Sequence, residues 1–286
     1  MQTPVHLSIG QEAVAVALCA QLGNGDLKIG THRCHGLYLA NGGDLTAFFA
    51  ELLGRSGGCS GGWGGSMHLI DRDHGLVGTT SIVGGALPIA VGLGMAVRRP
   101  DIAAVLFGDG AADQGVFAES LNFAVLHRLP VVFVCEHNRY SVYTPTWQRR
   151  AVDPSVVAGA FGIETLTASI EVAADVFALD ELMREPVAAV RSGAGPLLVE
   201  CHTVRALDHN GVRDDVAAGF RPQAEKELYA AHDPLVVARE ILGDRLARRI
   251  DAECAAAVER AYSAALNLPE AVIETPARSG RSSGDE

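Results

Sequence analysis

Asp109 and Asn138 are the residues whose types and spacing most directly suggest chemistry in this chain of 286 residues. Asp109 lies in the stretch GDGAADQGVF (108–117), directly after the apolar run 102–107, and Asn138 follows the apolar run 131–136. One carboxylate and one amide carbonyl, completed by backbone oxygens, water and phosphate, form a ligand set that suits Mg²⁺. The spacing leaves a second interpretation open, in which Asp109 caps the next helix and Asn138 occupies a turn.

The elements around these two residues explain how they could meet. The runs 102–107 and 131–136 are predicted strands, and residues 113–127 between them have the apolar periodicity of a helix. Two parallel strands joined by one helix have a right-handed crossover, so their carboxyl ends lie at the same edge of the sheet. Ligands of such sheets bind outside that edge. We therefore expect Asp109 and Asn138 to be close in space.

The remaining pattern predicts one α/β domain, with a parallel sheet flanked by helices. A third strand is predicted at 196–201, and Asp44 is the expected N-cap of a helix at 44–53. Further helices are predicted at 11–22, 84–97, 154–161, within 171–191, and at 222–230, 233–242 and 246–266. The domain is expected to span residues 1–266, followed by a disordered tail at 267–286. Trp63 and Met67 in the glycine-rich stretch 56–68 favour a loop that packs on the domain.

Composition excludes several classes of function. The formal net charge of −11 argues against nucleic acid as a partner. No run of 18 apolar residues predicts a membrane span, and the first residues lack the features of a signal or transit peptide. We therefore expect a cytoplasmic protein. The six cysteines are scattered without CxxC spacing, which argues against a zinc site or a disulfide framework.

Several longer segments resemble one family in the correct order. They are HLSIGQEAVAVAL (6–18), THRCHGLYLANGGD (31–44), ELLGRSGGCSGGWGGSMHL (51–69), GLVGTTSIVGGALPIAVGLGMA (75–96) and FGDGAADQGVFAESLNFAVLHRLPVVFVCEHNRYSVYTP (107–145). Together they resemble the alpha subunit of thiamine-diphosphate-dependent 2-oxoacid dehydrogenases, the decarboxylating component of the pyruvate, branched-chain and acetoin complexes. The resemblance is strong over about residues 5–150 and weak over 195–260. It implies the diphosphate-binding half of a thiamine-diphosphate-binding fold.

The resemblance implies thiamine diphosphate and Mg²⁺ as cofactors and assigns a role to individual residues. The implied metal ligands are the side chains of Asp109 and Asn138 and the backbone carbonyl of Tyr140. The ion would turn the aspartate into part of a diphosphate site, because its charge reverses the local electrostatics. The implied cofactor-binding residues are His32, Arg33, Gly75, Val77, Asp109, Gly110, Ala111, Asn138 and Arg205. The implied catalytic residues are His6, His35 and His209.

These cofactor-binding residues are expected to contact different parts of the cofactor. Gly110 and Ala111 would present N–H groups near a helix start, which is a natural anion site. Gly75 and Val77 match positions that hold the aminopyrimidine ring. Arg33 matches the family's diphosphate-binding arginine. The histidines, taken one at a time, are also compatible with ordinary polar surface positions.

The resemblance further implies a partner that completes the active site. The carboxylate that activates the cofactor belongs to a separate beta subunit in this family, and no segment here matches that subunit. The chain is therefore expected to be active only with a beta-type subunit that supplies the catalytic glutamate, as an α₂β₂ heterotetramer. The pair would decarboxylate a 2-oxoacid and pass the acyl or aldehyde unit to an acceptor, such as the lipoyl group of an acyltransferase. The glycine-rich helix at 84–97 is expected to pack at the interface.

Four features depart from the family. His32 replaces the tyrosine of a Tyr-Arg pair. In TVRALDHNGVRDD (203–215), Arg205 and His209 fit the family's histidine-rich loop, whereas Leu207 and Asp208 occupy positions where histidine is more frequent. SVYTP (141–145) stands where pyruvate enzymes of the family commonly have a glycine-rich segment. The family also has a helix before the segment at residue 6, so we expect the start of this chain to be short.

Two other functions remain open at this stage. The first is the N-terminal subunit of a split, transketolase-like ketol transferase, which carries the same metal motif. The second is a non-catalytic binding subunit, to which the departures at His32, Leu207 and Asp208 lend some support. A nicotinamide-binding Rossmann domain is disfavoured, because GDGAADQG lacks the GxGxxG spacing and the acidic residue that follows it.

Overall fold

The structure, a computed structural model, describes residues 4–272. Its main feature is a six-stranded sheet in which every paired strand is parallel to its neighbours. The strands are β1 (Leu27–Gly30), β2 (Leu76–Thr79), β3 (Ala103–Gly108), β4 (Val131–His137), β7 (Glu164–Ala168) and β8 (Leu197–His202). Their order across the sheet is β2-β1-β3-β4-β8-β7. Two short strands, β5 (Tyr140–Ser141) and β6 (Thr144–Pro145), form a separate antiparallel hairpin.

Eleven helices of the described region surround this sheet. They are α1 (Glu12–Ala20), α2 (His35–Ala40), α3 (Leu45–Leu52), α4 (Ala86–Ala96), α5 (Gly115–Leu126), α6 (Pro154–Ala160), α7 (Ile170–Ala174), α8 (Val176–Arg191), α9 (Ala224–Ala231), α10 (Pro234–Leu242) and α11 (Asp244–Leu266). The predicted α/β class, a parallel sheet flanked by helices, is confirmed. None of these helices, within residues 4–272, combines the length and apolarity needed to cross a bilayer.

The sheet is buried on both faces, which explains its continuous apolar strands. Alternate residues of β3 point to opposite sides, as the period of a strand requires. Ala104 and Leu106 contact the core under α1, α3 and α8, whereas Val105 and Phe107 contact the core under α4, α5 and α6. The strands that carry Asp109 and Asn138 are therefore fixed from both sides.

Several sequence predictions needed correction. Strands β1, β2 and β7 were not predicted, because each is short and contains glycine or polar residues instead of a long apolar run. The helix predicted within 171–191 is two helices, divided at Asp175, whose carboxylate accepts bonds from the N–H groups of Phe177 and Ala178. Helix α2 was also missed. Asp44 does cap α3, and its carboxylate accepts the N–H of Ala47 at 2.6 Å.

The glycine-rich segment 56–68 is a packed loop, as predicted, and a buried carboxylate holds it. Glu51, at the end of α3, is 1% exposed. Its oxygens accept bonds from the backbone N–H groups of Ser60, Gly62, Gly64 and Gly65, at 2.6–3.0 Å. A segment that lacks regular structure is thus ordered by four charge-assisted bonds to one side chain.

The expected tail is in part bonded to the domain. Residues 267–272 lie beside the segment 54–56, where Ala271 donates its N–H to Gly54 and Ser56 donates to the carbonyl of Pro269, both at 2.9 Å. Residues 273–286 of the expected tail lie outside the described residues. The division of the chain at residue 266 stays a prediction.

Candidate functional site at the carboxyl edge of the sheet

Asp109 and Asn138 lie at the carboxyl ends of the neighbouring strands β3 and β4, as expected from the crossover rule. Both line one cavity of about 200 Å³ outside that edge. The segments that follow β1, β2, β3 and β4 all contribute to its wall. Of the predicted site residues, the lining includes His6, His32, Arg33, Asp109, Gly110, Ala111, Asn138, Tyr140 and His209. Tertiary structure therefore gathers nine predicted residues from distant parts of the chain.

Asp109 is 1% exposed and has two different carboxylate oxygens. Oδ2 pairs with the guanidinium of Arg149, which also binds Asp113, and Arg150 lies 3.6 Å from the same oxygen. Oδ1 is buried and has no hydrogen-bond partner among the described residues. A buried carboxylate oxygen without a partner is energetically costly. A cation at Oδ1 would remove that cost.

Asn138 is held in a defined orientation beside the cavity. Its Nδ2 donates to Oε1 of Gln11 at 3.0 Å, and its Oδ1 accepts the N–H of Tyr140 at 3.2 Å. An amide oxygen has two lone pairs, so this contact leaves Oδ1 able to bind a cation as well. Gln11 and Asn138 are both buried. The amide is therefore preorganised by residues on both sides of the cavity.

Gly110 and Ala111 belong to a 3₁₀ turn, Asp109–Asp113, that precedes α5. The predicted helix start at residue 113 is thus corrected to Gly115, since one tighter turn intervenes. A side chain at Gly110 would meet Oγ of Ser141 at 2.8 Å, so the hairpin β5–β6 packs directly on the glycine backbone. This close approach explains why the position after the aspartate is a glycine.

Three imidazole rings meet on the other side of the cavity. His6 lies 4.5 Å from His32 and 4.8 Å from His209 between ring centroids, and His32 and His209 are 5.5 Å apart. Burial lowers the pKa of His6 to about 3, and of His32 and His209 to about 4, with a further contribution from nearby Arg33. The three rings are therefore neutral at pH 7.

Arg33 lies beneath this group and is almost completely enclosed. Its guanidinium donates to the backbone carbonyl of Leu7 and, at 3.1 Å, to the carbonyl of His209. Burial, followed by repulsion from Arg205, lowers the pKa of Arg33 to about 10, so the side chain remains charged at neutral pH. The cavity therefore contains one fixed positive charge suited to a phosphate group.

Arg205 is buried behind His209 and does not line the cavity. It lies 3.4 Å from Nδ1 of His209, donates to the carbonyl of Val142 at 3.2 Å, and pairs with Asp215. Asp215 also binds Arg221, and both of these side chains are buried. Arg205 thus orders the loop that carries His209, and its predicted contact with the cofactor stays a prediction.

Three other predicted residues do not line this cavity. His35 is buried against Phe48, and its Nε2 lies 2.9 Å from Oγ of Ser66. Gly75 precedes β2 at the amino edge of the sheet, where a side chain would meet the carbonyl oxygen of Asp26 at 2.2 Å. Val77 packs on the core under α4. These three residues lie away from the side chains that are expected to hold the metal and the diphosphate. Gly75 and Val77 lie before the carboxyl end of β2, and α2 turns His35 toward the core.

Nine of the 18 residues that line the cavity were not predicted, and neither were two arginines beside it. Glu136 lines the cavity, is buried, and has its pKa raised to about 7 by that burial. Gln11, Arg149 and Arg150 orient the two metal-ligand candidates, as described above. Glu136 could have been found from its place at the end of an apolar strand, whereas the arginines follow an irregular loop whose path the sequence does not reveal.

The donor set fits a hard divalent cation with a phosphate group. The chain offers two oxygen side chains at one point, an unsatisfied Oδ1 on Asp109, a fixed guanidinium and neutral imidazoles that can donate hydrogen bonds. Mg²⁺ prefers oxygen ligands and retains several from water or phosphate. Fold and site together define a parallel α/β protein whose polar and charged side chains gather in a cavity at the carboxyl edge of its sheet.

Comparison with known proteins gives the family. Residues 3–274 match the family described as "Dehydrogenase E1 component". The chain therefore belongs to the dehydrogenase E1 component family. The split transketolase and the non-catalytic binding subunit, which the sequence left open, are not favoured by this match or by the relatives.

The relatives include alpha subunits from several organisms. The chain is 40% identical over 209 residues to the alpha subunit of acetoin:2,6-dichlorophenolindophenol oxidoreductase of Bacillus subtilis, covering 72% of this chain and 62% of that protein. It is 36% identical over 282 residues to the subunit of the same name from Cupriavidus necator, covering 93% and 81%. It is 33% identical over 279 residues to the somatic, mitochondrial alpha subunit of human pyruvate dehydrogenase E1, covering 94% and 70%. The matched part thus spans 62–81% of these three relatives.

Proposed function

We propose that this chain binds thiamine diphosphate through Mg²⁺ and, with a beta-type subunit, decarboxylates a 2-oxoacid and passes the acyl or aldehyde unit to an acceptor. The observation that carries the proposal is the buried, unpartnered Oδ1 of Asp109, opposite Asn138 in one cavity. Asp109, Asn138 and the carbonyl of Tyr140 would hold the ion. Arg33, His32 and the N–H groups of Gly110 and Ala111 would hold the diphosphate.

The cofactor, when bound, supplies the electron sink that allows carbon dioxide to leave a 2-oxoacid. The chain's own residues bind and orient. The neutral rings of His6 and His209 line the cavity, and we assign proton transfer within it to them. The low pKa values of these rings mean that they act as neutral groups unless an anion arrives beside them.

The cavity supports a shared active site. Its volume of about 200 Å³ suits the ion and diphosphate but is below the ~300 Å³ at the lower end of small-molecule sites. An exposed apolar surface begins at its mouth and continues along one face of α4. This α4 surface consists of Ile82, Val83, Ile89, Gly92 and Met95. Large exposed apolar patches mark sites of protein association, so we place the beta-type subunit there.

The expected effect of Gly92→Leu tests this interface. Gly92 is exposed, and a Cβ at this position would have no other atom within 4 Å. Leucine therefore fits the isolated chain, but its side chain would project from the α4 surface toward the partner. We expect association with the beta-type subunit to weaken at least about tenfold, which corresponds to about 1.4 kcal/mol. Sedimentation analysis of the co-expressed subunits measures it. Gly159→Leu, at an equally open glycine of α6, is the matched control.

Association of the Gly92→Leu variant with the beta-type subunit is compared with that of the Gly159→Leu variant. Equal association of the Gly92 and Gly159 variants would contradict the interface. Gly94, two residues further along α4, is not a suitable second test position, because a Cβ there would meet Cγ2 of Val131 at 2.4 Å. Leucine at Gly94 would disturb the core instead of the interface.

The reaction itself is tested with the two-subunit enzyme. We expect the chain, co-expressed with its beta-type subunit and supplied with thiamine diphosphate and Mg²⁺, to release carbon dioxide from one class within a panel of 2-oxoacids. The matched control is the same pair carrying Asp109→Asn. No release from any 2-oxoacid, despite tight metal-dependent cofactor binding, would contradict the decarboxylase proposal.

The α₂β₂ assembly and a lipoyl acyltransferase acceptor are parts of the same proposal. Their support is the family of the chain, and the designation of its relatives as alpha subunits supports a beta-type partner. The cytoplasmic location stays a prediction, and some relatives are mitochondrial by name.

A further inference from the structure

The hairpin β5–β6 carries Tyr140, whose carbonyl is the third proposed metal ligand, but the hairpin lies outside the six-stranded sheet. Within residues 4–272 its two short strands pair with one another and with no other strand. A two-stranded hairpin by itself is marginally stable in water. The conformation of residues 139–145 therefore depends on contacts from elsewhere in the chain.

Two residues of this segment have an unfavourable backbone conformation. Arg139 has a φ of 69° and Val142 has a φ of 54°. Left-handed backbone is uncommon for residues other than glycine, and for a β-branched residue it is a genuine outlier. Such conformations persist only where the surrounding structure imposes them. Tyr140 lies between the two, so the contacts that hold them also restrict the position of its carbonyl.

The chain after β8 supplies a contact to each strained residue. Glu225, in the first turn of α9, is 7% exposed and accepts hydrogen bonds from Nη2 of Arg139 at 2.7 Å and from the hydroxyl of Tyr140 at 3.4 Å. Arg205 donates to the carbonyl of Val142 at 3.2 Å. Each strained residue thus has its own anchor in the same part of the chain.

Buried charges join these two anchors to one another. Nη1 of Arg221 donates to the carbonyl of Arg205 at 2.9 Å and lies 3.8 Å from Oε2 of Glu225. Asp215 is buried and pairs with Arg205 at 3.3 Å and with Arg221 at 2.7 Å. A buried charge is stable only with partners in a defined arrangement. The chain after β8 is therefore a firm support for the hairpin, although it supplies none of the proposed metal ligands.

We propose that Glu225 is a positioning residue for the divalent cation of the cofactor. It acts through Arg139 and Tyr140, because it holds the hairpin in the strained conformation in which the N–H of Tyr140 also donates to Oδ1 of Asn138 at 3.2 Å. This role rests on the proposed function, since the cation is the one that binds with thiamine diphosphate. Glu225 does not line the cofactor cavity, so α9 would control metal affinity from outside it.

The experiment measures Mn²⁺ binding to the chain co-expressed with its beta-type subunit, with and without thiamine diphosphate, from the electron paramagnetic resonance signal of free Mn²⁺. Mn²⁺ replaces Mg²⁺ as the probe, because both prefer oxygen ligands. We expect Glu225→Gln to weaken cofactor-dependent Mn²⁺ binding at least about tenfold with an unchanged number of sites, since indirect support of a metal ligand is worth about 10–100-fold. Glu227→Gln, at an exposed position of the same helix, is the matched control.

A double-mutant cycle tests whether Glu225 acts through Arg139. Arg139→Gln should also weaken Mn²⁺ binding. The double variant should bind Mn²⁺ within about threefold of Glu225→Gln alone, because substitutions at two partners of one contact are not independent. Multiplied effects of the two substitutions would overturn the proposed route.

Arg191→Gln separates positioning from a general loss of stability. Arg191 pairs with Asp26, which precedes β1 at the opposite edge of the sheet, so its loss lowers stability without altering the hairpin contacts. Equal weakening of Mn²⁺ binding in Arg191→Gln and Glu225→Gln, or binding by Glu225→Gln within about threefold of Glu227→Gln, would overturn the positioning role. Wild-type enzyme without cofactor-dependent Mn²⁺ binding would instead remove the proposed function, and this role with it, so the two failures are distinguishable.

Discussion

Asp109→Asn is expected to weaken Mg²⁺-dependent binding of thiamine diphosphate at least about 100-fold, and Asp109→Ala to abolish it at ordinary Mg²⁺ concentration. The buried Oδ1 has no partner among the described residues, so its one compensation would be the cation. Asparagine retains the shape but removes the charge on which a hard cation depends. A change of 100-fold corresponds to about 2.8 kcal/mol, within the range for charged buried groups. Equilibrium dialysis with and without Mg²⁺ measures the effect.

The control for this prediction is Asp113→Asn. Asp113 binds the same two arginines, Arg149 and Arg150, but does not line the cavity. Both substitutions disturb the arginine pair, whereas only Asp109→Asn alters the metal-facing oxygen. Thermal unfolding of the two variants shows whether either loses the fold. Cofactor binding by Asp109→Asn within a factor of three of the Asp113 variant would remove the central claim about the site.

Glu51→Gln is expected to lower the free energy of unfolding by about 3–5 kcal/mol. The carboxylate accepts four backbone N–H groups of the glycine-rich loop, and each buried donor left without an acceptor costs about 1–3 kcal/mol. Glutamine supplies one acceptor oxygen and turns an NH₂ group toward the remaining donors. Partial access of water to the loop keeps the total below the simple sum. Urea unfolding monitored by circular dichroism measures the change.

The Glu51→Gln substitution should also affect the candidate site. The loop includes Met67, which lines the cavity and whose carbonyl accepts the hydroxyl of Thr79 at 2.8 Å. We therefore expect weaker cofactor binding by Glu51→Gln in addition to lower stability. Glu259→Gln, on the exposed face of α11, is the control with the same chemical change. A difference of less than 1 kcal/mol between the two variants would show that the loop does not depend on the carboxylate.

The sequence by itself determined the elements whose signals are local. The apolar runs that became β3 and β4, the cap at Asp44 and the periodicity of α5 are each contained within a few turns or one strand. The crossover rule then placed Asp109 and Asn138 at one edge without any tertiary information. Strands β1, β2 and β7 were missed, because four or five residues with glycine or polar side chains do not carry a distinct period.

The family resemblance identified nine of the 18 residues that line the cavity but did not determine their geometry. Sequence similarity assigned comparable roles to His35 and His209, yet α2 turns the first into the core while the loop after β8 brings the second to the cavity. Gly75 lies at the opposite edge of the sheet from Asp109, a placement that depends on where β2 begins. These outcomes depend on the spatial order of elements, which local patterns do not encode.

Tertiary structure alone decided which buried polar and charged side chains contact one another. Glu51 and the loop it holds, Arg149 against Asp109, and the three clustered imidazoles all join residues whose local sequence gives no sign of a partner. The physical reason is that an apolar residue needs only an enclosed position, which periodicity predicts. A buried charge or ring nitrogen needs one particular partner at hydrogen-bond distance, and the folded packing of distant segments supplies it.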